Sequence, residues 1–356
     1  MFVCVSITND AVKVIESGVV RTMWWHELPS GRVQCDLCPR GCQLRNGQRG
    51  YCTVRENRGG EIVMTAYGRP YGLHVDPIEK KPLYHFLPGT SVLSFGTAGC
   101  NLGCRFCQNW HMSRATKVDR RARLILPEAI AGVARRESCA SVAFTYNEPI
   151  VFAEYAIETA KECRRSGIKT VAVTAGYISS GARRAFFDPM DAVNVDLKAF
   201  SDGFYRRLCF ARLQPVLETL EWIRRETTTW LEVTTLVIPG ENDDEDELRR
   251  LSAWCASRLG QDTPLHLSAY HPAYRHVGRG STQACVLDRV RRIAMGEGLL
   301  YVYAGNVMNE EAQSTWCSAC GKLLIRRSGF VATRDWLDER GFCRSCGEKL
   351  AGMVAE

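Results

Sequence analysis

Short apolar runs alternate with helix-length segments from residue 91 to residue 305. The apolar runs are SVLSFG, SVAFTY, KTVAVTAG, AVNVDLK, WLEVTTLVIPG, PLHLSAY and LLYVYAG, and segments such as VFAEYAIETAKECRRSG lie between them. This rhythm predicts βα units and a parallel sheet. We therefore expect an α/β fold with a full or partial (β/α) barrel, whose chemistry gathers at the carboxyl ends of its strands. A doubly wound open sheet is the alternative.

The cysteine-rich segments divide the chain into four parts. Residues 1–60 contain an N-terminal module with four cysteines, and residues 61–90 form a lead-in segment broken by proline and glycine. Residues 91–308 form the predicted barrel core, and residues 309–356 form a second four-cysteine module of the zinc-ribbon or rubredoxin kind. With 46% hydrophobic residues, the chain can bury one large core with small appendages.

The use of cysteine also indicates a cellular compartment. Of the 17 cysteines, eleven fall in three tight clusters, which is how metal ligands rather than disulfides are arranged. The opening residues lack a basic start followed by an apolar run, and no later stretch reaches the roughly eighteen apolar residues of a membrane helix. We expect a soluble, cytoplasmic protein with no membrane partner.

The net charge of +7 is modest and is spread over many arginines. It is compatible with an acidic substrate or RNA but requires neither. No concentrated basic stripe interleaved with aromatic residues surrounds either outer cysteine module, so nucleic acid is not an expected partner.

The segment FGTAGCNLGCRFCQNW follows the first predicted strand and has the spacing C-x3-C-x2-C. Its thiolates Cys100, Cys104 and Cys107 can hold three corners of a [4Fe-4S] cluster and leave the fourth iron open. The open iron suits the amino and carboxylate groups of S-adenosylmethionine (SAM), whose reductive cleavage gives a 5′-deoxyadenosyl radical that abstracts hydrogen.

A structural metal site, or a set of buried thiols, is the alternative interpretation of this segment. A structural site needs a fourth ligand, and His111, four residues after the last cysteine, is available. Phe106 before the third cysteine favours the open cluster. So do Gly99 and Gly103, because glycine allows the backbone to wrap tightly around a cluster.

The chain resembles the radical SAM superfamily, and within it the pyruvate formate-lyase activating enzyme branch and the radical SAM enzymes of the AmmeMemoRadiSam system. Besides the central motif, the resembling pieces are CDLCPRGCQLRNGQRGYC, VDPIEKKPLYHFLPGT, TYNEPIVF, NVDLKAF, VIPGEND and SAYHPAY. The resemblance implies a radical SAM oxidoreductase with a [4Fe-4S] cluster, SAM, and a one-electron donor such as flavodoxin or ferredoxin.

The resemblance also implies roles for residues at the predicted strand ends. The superfamily's acidic Gly-Gly-Glu strand end, which receives the SAM amino group, is similar to the segment with Asn147 and Glu148 here, although both glycines are absent. Asp196 and Lys198 resemble a pair whose lysine meets the SAM carboxylate. The aspartate of that pair neighbours the substrate, so Asp196 is also a candidate catalytic residue.

Further positions follow from the same resemblance. Thr174 and Gly176 are expected near the SAM ribose, and Gly305 with Asn306 at the adenine end. His271 ends the sixth predicted strand and is a candidate catalytic residue on the substrate side, with a structural histidine as the alternative.

The C-terminal cysteines Cys317, Cys320, Cys343 and Cys346 have the spacing C-x2-C-x22-C-x2-C, with a glycine after each pair. This double knuckle is typical of zinc ribbons and rubredoxins and forms a closed tetrahedral site. We expect zinc with a role in folding. A single iron that serves as an electron entry point is the alternative.

The N-terminal cysteines Cys35, Cys38, Cys42 and Cys52 have the spacing C-x2-C-x3-C-x9-C. Four thiolates suit zinc and an auxiliary [4Fe-4S] cluster alike. We expect zinc here, with the auxiliary cluster as the alternative.

Six cysteines stand alone, and buried, inert thiols are the default for such residues: Cys4, Cys139, Cys163, Cys209, Cys255 and Cys285. Cys209 is a partial exception, because it follows the NVDLK segment closely and is a candidate hydrogen donor or radical relay toward the substrate. Its reactivity depends on its pKa and exposure, which a sequence does not show.

Three functions fit these features. An activating enzyme would take a glycine of a partner protein as substrate, although the extra cysteine modules and the altered Gly-Gly-Glu segment argue against it. An AmmeMemoRadiSam enzyme would act on a small molecule or a protein, linked to Memo-type and AMMECR-type partners. A non-enzymatic alternative is a nucleic-acid-binding or redox-sensing metal protein, in which the ribbon grips nucleic acid and the cluster is a sensor.

Overall fold

The computed structural model describes residues 14–116 and 124–354, so Cys4 lies outside the described residues. In these ranges the strands are β1 (Val14–Glu16), β2 (Val19–Arg21), β3 (Trp25–Glu27), β4 (Val33–Cys35), β5 (Gln43–Leu44), β6 (Arg55–Arg58), β7 (Glu61–Met64), β8 (Tyr71–Pro77), β9 (Ser91–Gly96), β10 (Ser141–Phe144), β11 (Lys169–Thr174), β12 (Ala192–Asp196), β13 (Trp230–Val237), β14 (Leu265–Ala269), β15 (Val302–Gly305), β16 (Thr315–Trp316), β17 (Leu323–Ser328) and β18 (Val331–Arg334).

The helices in the same ranges are α1 (Trp110–Ser113), α2 (Pro127–Arg136), α3 (Ala153–Arg165), α4 (Ser180–Phe187), α5 (Asp202–Phe204), α6 (Gln214–Glu226), α7 (Glu245–Trp254), α8 (Ala284–Gly296) and α9 (Glu310–Gln313). π-helical turns extend α5 over Tyr205–Cys209 and α7 over Cys255–Leu259. None of these helices has the length and apolar character that a membrane span requires.

The main sheet has eight strands that follow the order of the chain from β8 to β15. β8 pairs antiparallel with β9, and every later strand is parallel to the one before it. Helices α2, α3, α4, α6, α7 and α8 connect the successive parallel strands, so the seven predicted strands are confirmed. A doubly wound sheet reverses its strand order at one point. This sheet does not, and its two ends are β8 and β15, so it matches the partial form of the barrel.

Apolar residues at the matching period explain these elements. All four residues of β10 are buried, as are the first four of β12, which is typical of parallel strands covered on both faces. In α3 the buried positions include Tyr155, Ala156, Thr159, Ala160 and Cys163, which form one face of the helix. The core therefore lies between the main sheet and its connecting helices.

The N-terminal module consists of two small sheets, β3-β4-β5 and β1-β2-β7-β6. The lead-in predicted for residues 61–90 is divided, because β7 completes a small sheet whereas β8 joins the main sheet. A buried ion pair fixes the module to α3: Arg55 donates to both carboxylate oxygens of Glu154, at 3.1 and 2.5 Å. The Ser179 N–H donates to the Leu37 carbonyl at 3.0 Å, which places the module at the carboxyl end of the main sheet.

The C-terminal module contains the three-stranded sheet β16-β17-β18. Two of its cysteines, Cys317 and Cys343, pack in one apolar cluster with Tyr84, Tyr301 and Tyr303. Tyr301 directly precedes β15 and Tyr303 is the second residue of that strand, so this module covers the amino end of the main sheet. The two cysteine modules therefore lie at opposite ends of the barrel.

A fully buried arginine attaches the C-terminal module to the core. Arg327 in β17 donates to the Tyr84 carbonyl and to the Thr315 hydroxyl, both at 2.7 Å. Its Nε lies 3.6 Å from a carboxylate oxygen of Glu79, whose side chain is also fully buried. Removing one partner of such a pair leaves an uncompensated charge in the interior.

We predict that Arg327→Met lowers the free energy for detaching the C-terminal module by about 3 to 5 kcal/mol, because Glu79 loses its counter-charge. Hydrogen exchange of the buried amides of β17 measures this free energy directly. The control is Arg326→Met, one residue earlier, because Arg326 forms an exposed ion pair with Asp335 that is worth about 1 kcal/mol or less. Equal protection in both variants would contradict the assignment.

Candidate active site and metal centres

The loop between β9 and α1 carries the three central cysteines. Gly99 has a φ of 90°, and a Cβ at this position would overlap the carbonyl oxygen of Cys52 in the N-terminal module. A Cβ at Gly103 would overlap the Tyr51 hydroxyl. The Gly99 N–H donates to the Met112 carbonyl, and the Gly103 N–H to the Cys209 carbonyl, both at 2.9 Å. The two glycines thus allow neighbouring segments to hold this loop from several sides.

The three thiols of this loop are electrostatic neighbours. Burial raises the pKa of Cys100, and the negative charges of Glu148, Cys104 and Cys107 raise it further. Burial also raises the pKa of Cys107, whose Sγ lies 3.7 Å from the Ser113 hydroxyl. Three thiolates gathered here repel one another, so they need a cationic metal group, which is what an iron-sulfur cluster supplies. Cysteine thiolates are also the ligands that such a cluster uses.

Cys209 lies beside Cys104 and is fully buried. A hydrogen bond from Cys209 lowers the pKa of Cys104, with Lys198 acting in the same direction. Cys209 ends the π-helical turn after α5, and Phe210 follows with a φ of 53°. The structure thus places Cys209 against Cys104, one of the three predicted cluster ligands.

Glu148 follows β10 and is buried against the carboxyl end of β11. One carboxylate oxygen accepts from the Thr174 hydroxyl at 2.5 Å, and the other accepts from the Ala175 N–H at 2.7 Å. Burial raises the pKa of Glu148 to about 7. The Gly176 N–H donates to the Thr174 hydroxyl at 3.0 Å, and Gly176 has a φ of 64°. The predicted residues Glu148, Thr174 and Gly176 therefore form one connected group.

Asn147 is oriented toward the loop between β9 and α1, which is called the cluster loop from here on. Its side-chain oxygen accepts from the Thr97 N–H at 3.1 Å, and its amide nitrogen donates to the Gly99 carbonyl at 2.6 Å. The side-chain oxygen and nitrogen of Asn147 are therefore both bonded to this loop, so Asn147 fixes the backbone of residues 97–99.

Asp196 and Lys198 form an ion pair at the end of β12, with 2.8 Å between Lys198 Nζ and the carboxylate. Burial alone would lower the pKa of Lys198, but Asp196 and the neighbouring cysteines Cys104 and Cys209 raise it overall. The Asn242 amide donates to the Lys198 carbonyl at 2.8 Å and fixes this segment. The pair is thereby held next to the cluster loop.

The remaining predicted residues follow the last two strands of the sheet. Asn306 directly follows Gly305 at the end of β15, has a φ of 59°, and donates to the Ser268 hydroxyl at 2.8 Å. His271 follows β14, is exposed, and has its Nδ1 3.1 Å from the Ser281 hydroxyl. All lie at the carboxyl end of the sheet, but the recorded contact of His271 is to Ser281 and not to the cluster loop.

Three residues without a predicted role adjoin the site. The Tyr146 hydroxyl donates to Asp76 at 2.9 Å, and the buried Lys81 binds the same carboxylate at 2.7 Å. The Tyr146 carbonyl accepts from Asn109 in the cluster loop at 2.7 Å. Asp76 and Lys81 lie in the VDPIEKKP segment, whose resemblance to the family was the available signal.

The isolated cysteines differ in exposure. Cys139, Cys163 and Cys255 are buried, as predicted, and burial raises the pKa of the latter two to about 12. The prediction is wrong for Cys285, which is exposed at the first turn of α8.

The four C-terminal cysteines form a compact group. The Sγ atoms of Cys317 and Cys346 are 3.6 Å apart, and those of Cys320 and Cys343 are 3.7 Å apart. Three or more side chains of the kind that bind metals can have all their ligand atoms within 4.8 Å of one another. Within residues 14–116 and 124–354, these four cysteines are the one group that meets this condition. The arrangement can hold a single metal ion.

His111, the alternative fourth ligand of the central motif, stacks on Trp110 with 3.6 Å between ring centroids.

The four N-terminal cysteines line one cavity of about 20 Å³. Arg40, Arg55, Asn101 and Val151 belong to the same lining. Asn101 is the residue after Cys100, so this cavity shares a wall with the loop of the central cysteines.

A model of the radical SAM superfamily matches residues 95–251. An uncharacterized protein of Methanocaldococcus jannaschii is 41% identical over 329 residues, which cover 92% of this chain and 98% of that protein. Pyruvate formate-lyase 1-activating enzyme of Escherichia coli is 25% identical over 62% of this chain and 92% of its own length.

Among solved structures, a radical SAM methyltransferase from Sphaerobacter thermophilus matches with a TM-score of 0.50 and 14% identity. The match covers 86% of this chain and 81% of that one, and at this identity it shows the fold alone. The family match over residues 95–251 and the full-length relative establish that the chain belongs to the radical SAM superfamily.

Proposed function

We propose that this protein is a radical SAM oxidoreductase that cleaves SAM reductively and abstracts hydrogen from its substrate. Membership of the superfamily implies a [4Fe-4S] cluster and SAM. When bound, these groups supply a 5′-deoxyadenosyl radical. The observation that carries the proposal is the meeting of Cys100, Cys104 and Cys107 with Glu148 and Lys198 at the carboxyl ends of neighbouring strands.

The contacts support a distribution of roles around SAM. Glu148 accepts hydrogen bonds from the SAM amino group, because its carboxylate is already held in place by Thr174 and Ala175. Lys198 binds the SAM carboxylate and Asp196 orients that lysine on the substrate side. Gly176 lies near the ribose.

The adenine end and two candidate catalytic residues complete this assignment. Gly305 and Asn306 border the adenine. Cys209 and His271 stay predictions as catalytic residues, and for Cys209 full burial favours an effect on the cluster through Cys104.

The substrate is a small molecule or a protein. Similarity to pyruvate formate-lyase 1-activating enzyme supports a protein glycine as one candidate, and the AmmeMemoRadiSam interpretation, with Memo-type or AMMECR-type partners, is the other. A one-electron donor of the flavodoxin or ferredoxin type would reduce the cluster. The reducing cytoplasm remains the proposed location, because it keeps cysteine ligands reduced.

The C-terminal module is proposed to bind one zinc ion and to act in folding. Its sulfur atoms have the separation that a tetrahedral ion with Zn–S distances of about 2.3 Å requires. The module covers the amino end of the sheet, opposite the cluster loop, which argues against an electron entry point and leaves the sensor or nucleic-acid alternative without a link to the central site.

We predict that Cys104→Ala reduces SAM cleavage to background, because two thiolates do not hold a cubane with one open corner. The measurement is 5′-deoxyadenosine formed under anaerobic reduction by dithionite. Cys285→Ala, which removes an exposed and isolated thiol, is the control and should keep the wild-type rate. Wild-type activity in the Cys104 variant would refute the proposed function.

We predict that Glu148→Gln weakens SAM binding roughly 10- to 150-fold, since a hydrogen bond to a charged group contributes about 1.5 to 3 kcal/mol. Iron content should stay at the wild-type level. Equilibrium dialysis with SAM and iron analysis measure the two effects, and Glu137→Gln at the exposed end of α2 is the control. Equal losses of iron and SAM affinity would mean that Glu148 has a structural role only.

We predict that Cys343→Ala loses zinc and becomes sensitive to protease after about residue 310, because the binding free energy of such sites, on the order of 10 kcal/mol, is largely folding free energy. Ser345→Ala, between the two cysteines of the second knuckle, should keep both zinc and protection. Iron in place of zinc at this site in the anaerobically purified protein would contradict the assignment.

A further inference from the structure

The two four-cysteine modules have different geometries within one molecule. In the C-terminal module the paired sulfur atoms are 3.6 and 3.7 Å apart, close to the roughly 3.8 Å that a tetrahedral zinc site with 2.3 Å bonds imposes. Such a cage closes around one ion and leaves no further space. This module therefore provides an internal standard for a single-ion site.

The N-terminal module differs from this standard. Cys35, Cys38, Cys42 and Cys52 lie in the described part of the chain, yet no three of them have their sulfur atoms all within 4.8 Å of one another. Instead, all four line a cavity of about 20 Å³, whereas four sulfur atoms packed around one zinc ion leave no such space. A cubane cluster requires this kind of spacing, because each of its four thiolates binds a different iron. We infer that these four cysteines hold a second [4Fe-4S] cluster that relays electrons to the cluster at Cys100, Cys104 and Cys107.

The surroundings of the cavity suit an anionic group. Four thiolates give a cubane a net negative charge, and Arg40 and Arg55 both belong to the lining. Arg40 lies 3.5 Å above the Tyr51 ring, and Arg55 is fixed by Glu154 and the Val151 carbonyl. Both arginines are therefore held in place, and because Glu154 compensates the charge of Arg55, the net positive charge of the wall comes from Arg40.

The cavity also adjoins the cluster loop directly. Asn101 lines it and is bonded to Cys100 along the chain. The Cys52 carbonyl packs on the Cα of Gly99, which precedes Cys100. The Arg40 Nε donates to the Asn101 carbonyl, and its other nitrogen donates to the Phe210 carbonyl at 2.5 Å. Cys52, a ligand of the second cluster, therefore touches the residue that precedes Cys100, a ligand of the catalytic cluster.

The contact between the N-terminal cavity and the cluster loop gives the order of electron transfer. A low-potential one-electron donor reduces the second cluster, which passes that electron to the catalytic cluster and is itself reoxidised. The electron then breaks the S–C5′ bond of SAM and leaves methionine and the 5′-deoxyadenosyl radical. The relay rests on the proposed function, whereas the metal assignment of the N-terminal module does not.

The metal assignment is tested by counting metals in three proteins purified anaerobically. Wild type should contain about eight irons and one zinc per chain, four irons for each cubane. The triple variant Cys100→Ala/Cys104→Ala/Cys107→Ala should keep about four irons with the Mössbauer spectrum of a cubane. The double variant Cys38→Ala/Cys42→Ala should lose about four irons and no zinc.

Two zinc ions in wild type, or a triple variant without iron, would overturn the assignment. The triple variant leaves the N-terminal module intact, so its iron content decides the question even where the double variant is unstable. The failure of wild type to cleave SAM with dithionite would refute the proposed function and leave this count unaffected.

The relay is tested by electron paramagnetic resonance of the reduced proteins. Reduced wild type should show magnetic interaction between two clusters, and both variants should lose it. The ratio of SAM cleavage with reduced ferredoxin to that with dithionite should fall at least about tenfold in the double variant. Two non-interacting signals with an unchanged ratio would overturn the relay.

Discussion

The carboxyl end of the sheet depends on one packing constraint: the cluster loop passes between three segments that leave no room for side chains at Gly99 and Gly103. The N-terminal module, α1 and the turn that ends at Cys209 each make backbone contacts with this loop. The Asn147 side chain, in the segment after β10, adds two hydrogen bonds. The spacing of the three thiols therefore follows from their neighbours as much as from the loop itself.

Sequence reasoning was sufficient where the signal is local. Each predicted strand of the core forms, because the apolar runs are long and are separated by amphipathic helices. Glu148 and Thr174, which the resemblance assigned to different parts of SAM, are hydrogen-bonded to each other, since adjacent parallel strands bring their ends together.

Long-range packing set the rest, and it leaves little trace in a single sequence. The contact of Cys52 with Gly99 joins segments almost fifty residues apart, and nothing near either residue specifies it. Cys209 and Cys285 have similar isolated contexts, yet one is fully buried and the other exposed. The spacing of the N-terminal cysteines suited two metal groups, and the arrangement of their sulfur atoms, which a sequence does not show, is what favours the second cluster proposed above.

The cavity of the N-terminal module has a consequence for biogenesis. Its first walls come from residues 35–55, but Asn101 and Val151 close it, and these emerge from the ribosome much later. A metal group bound by the early cysteines stays open to solvent and oxidants until the first strands of the barrel have formed. Maturation of this site must therefore either wait for the core or be protected by another protein until then.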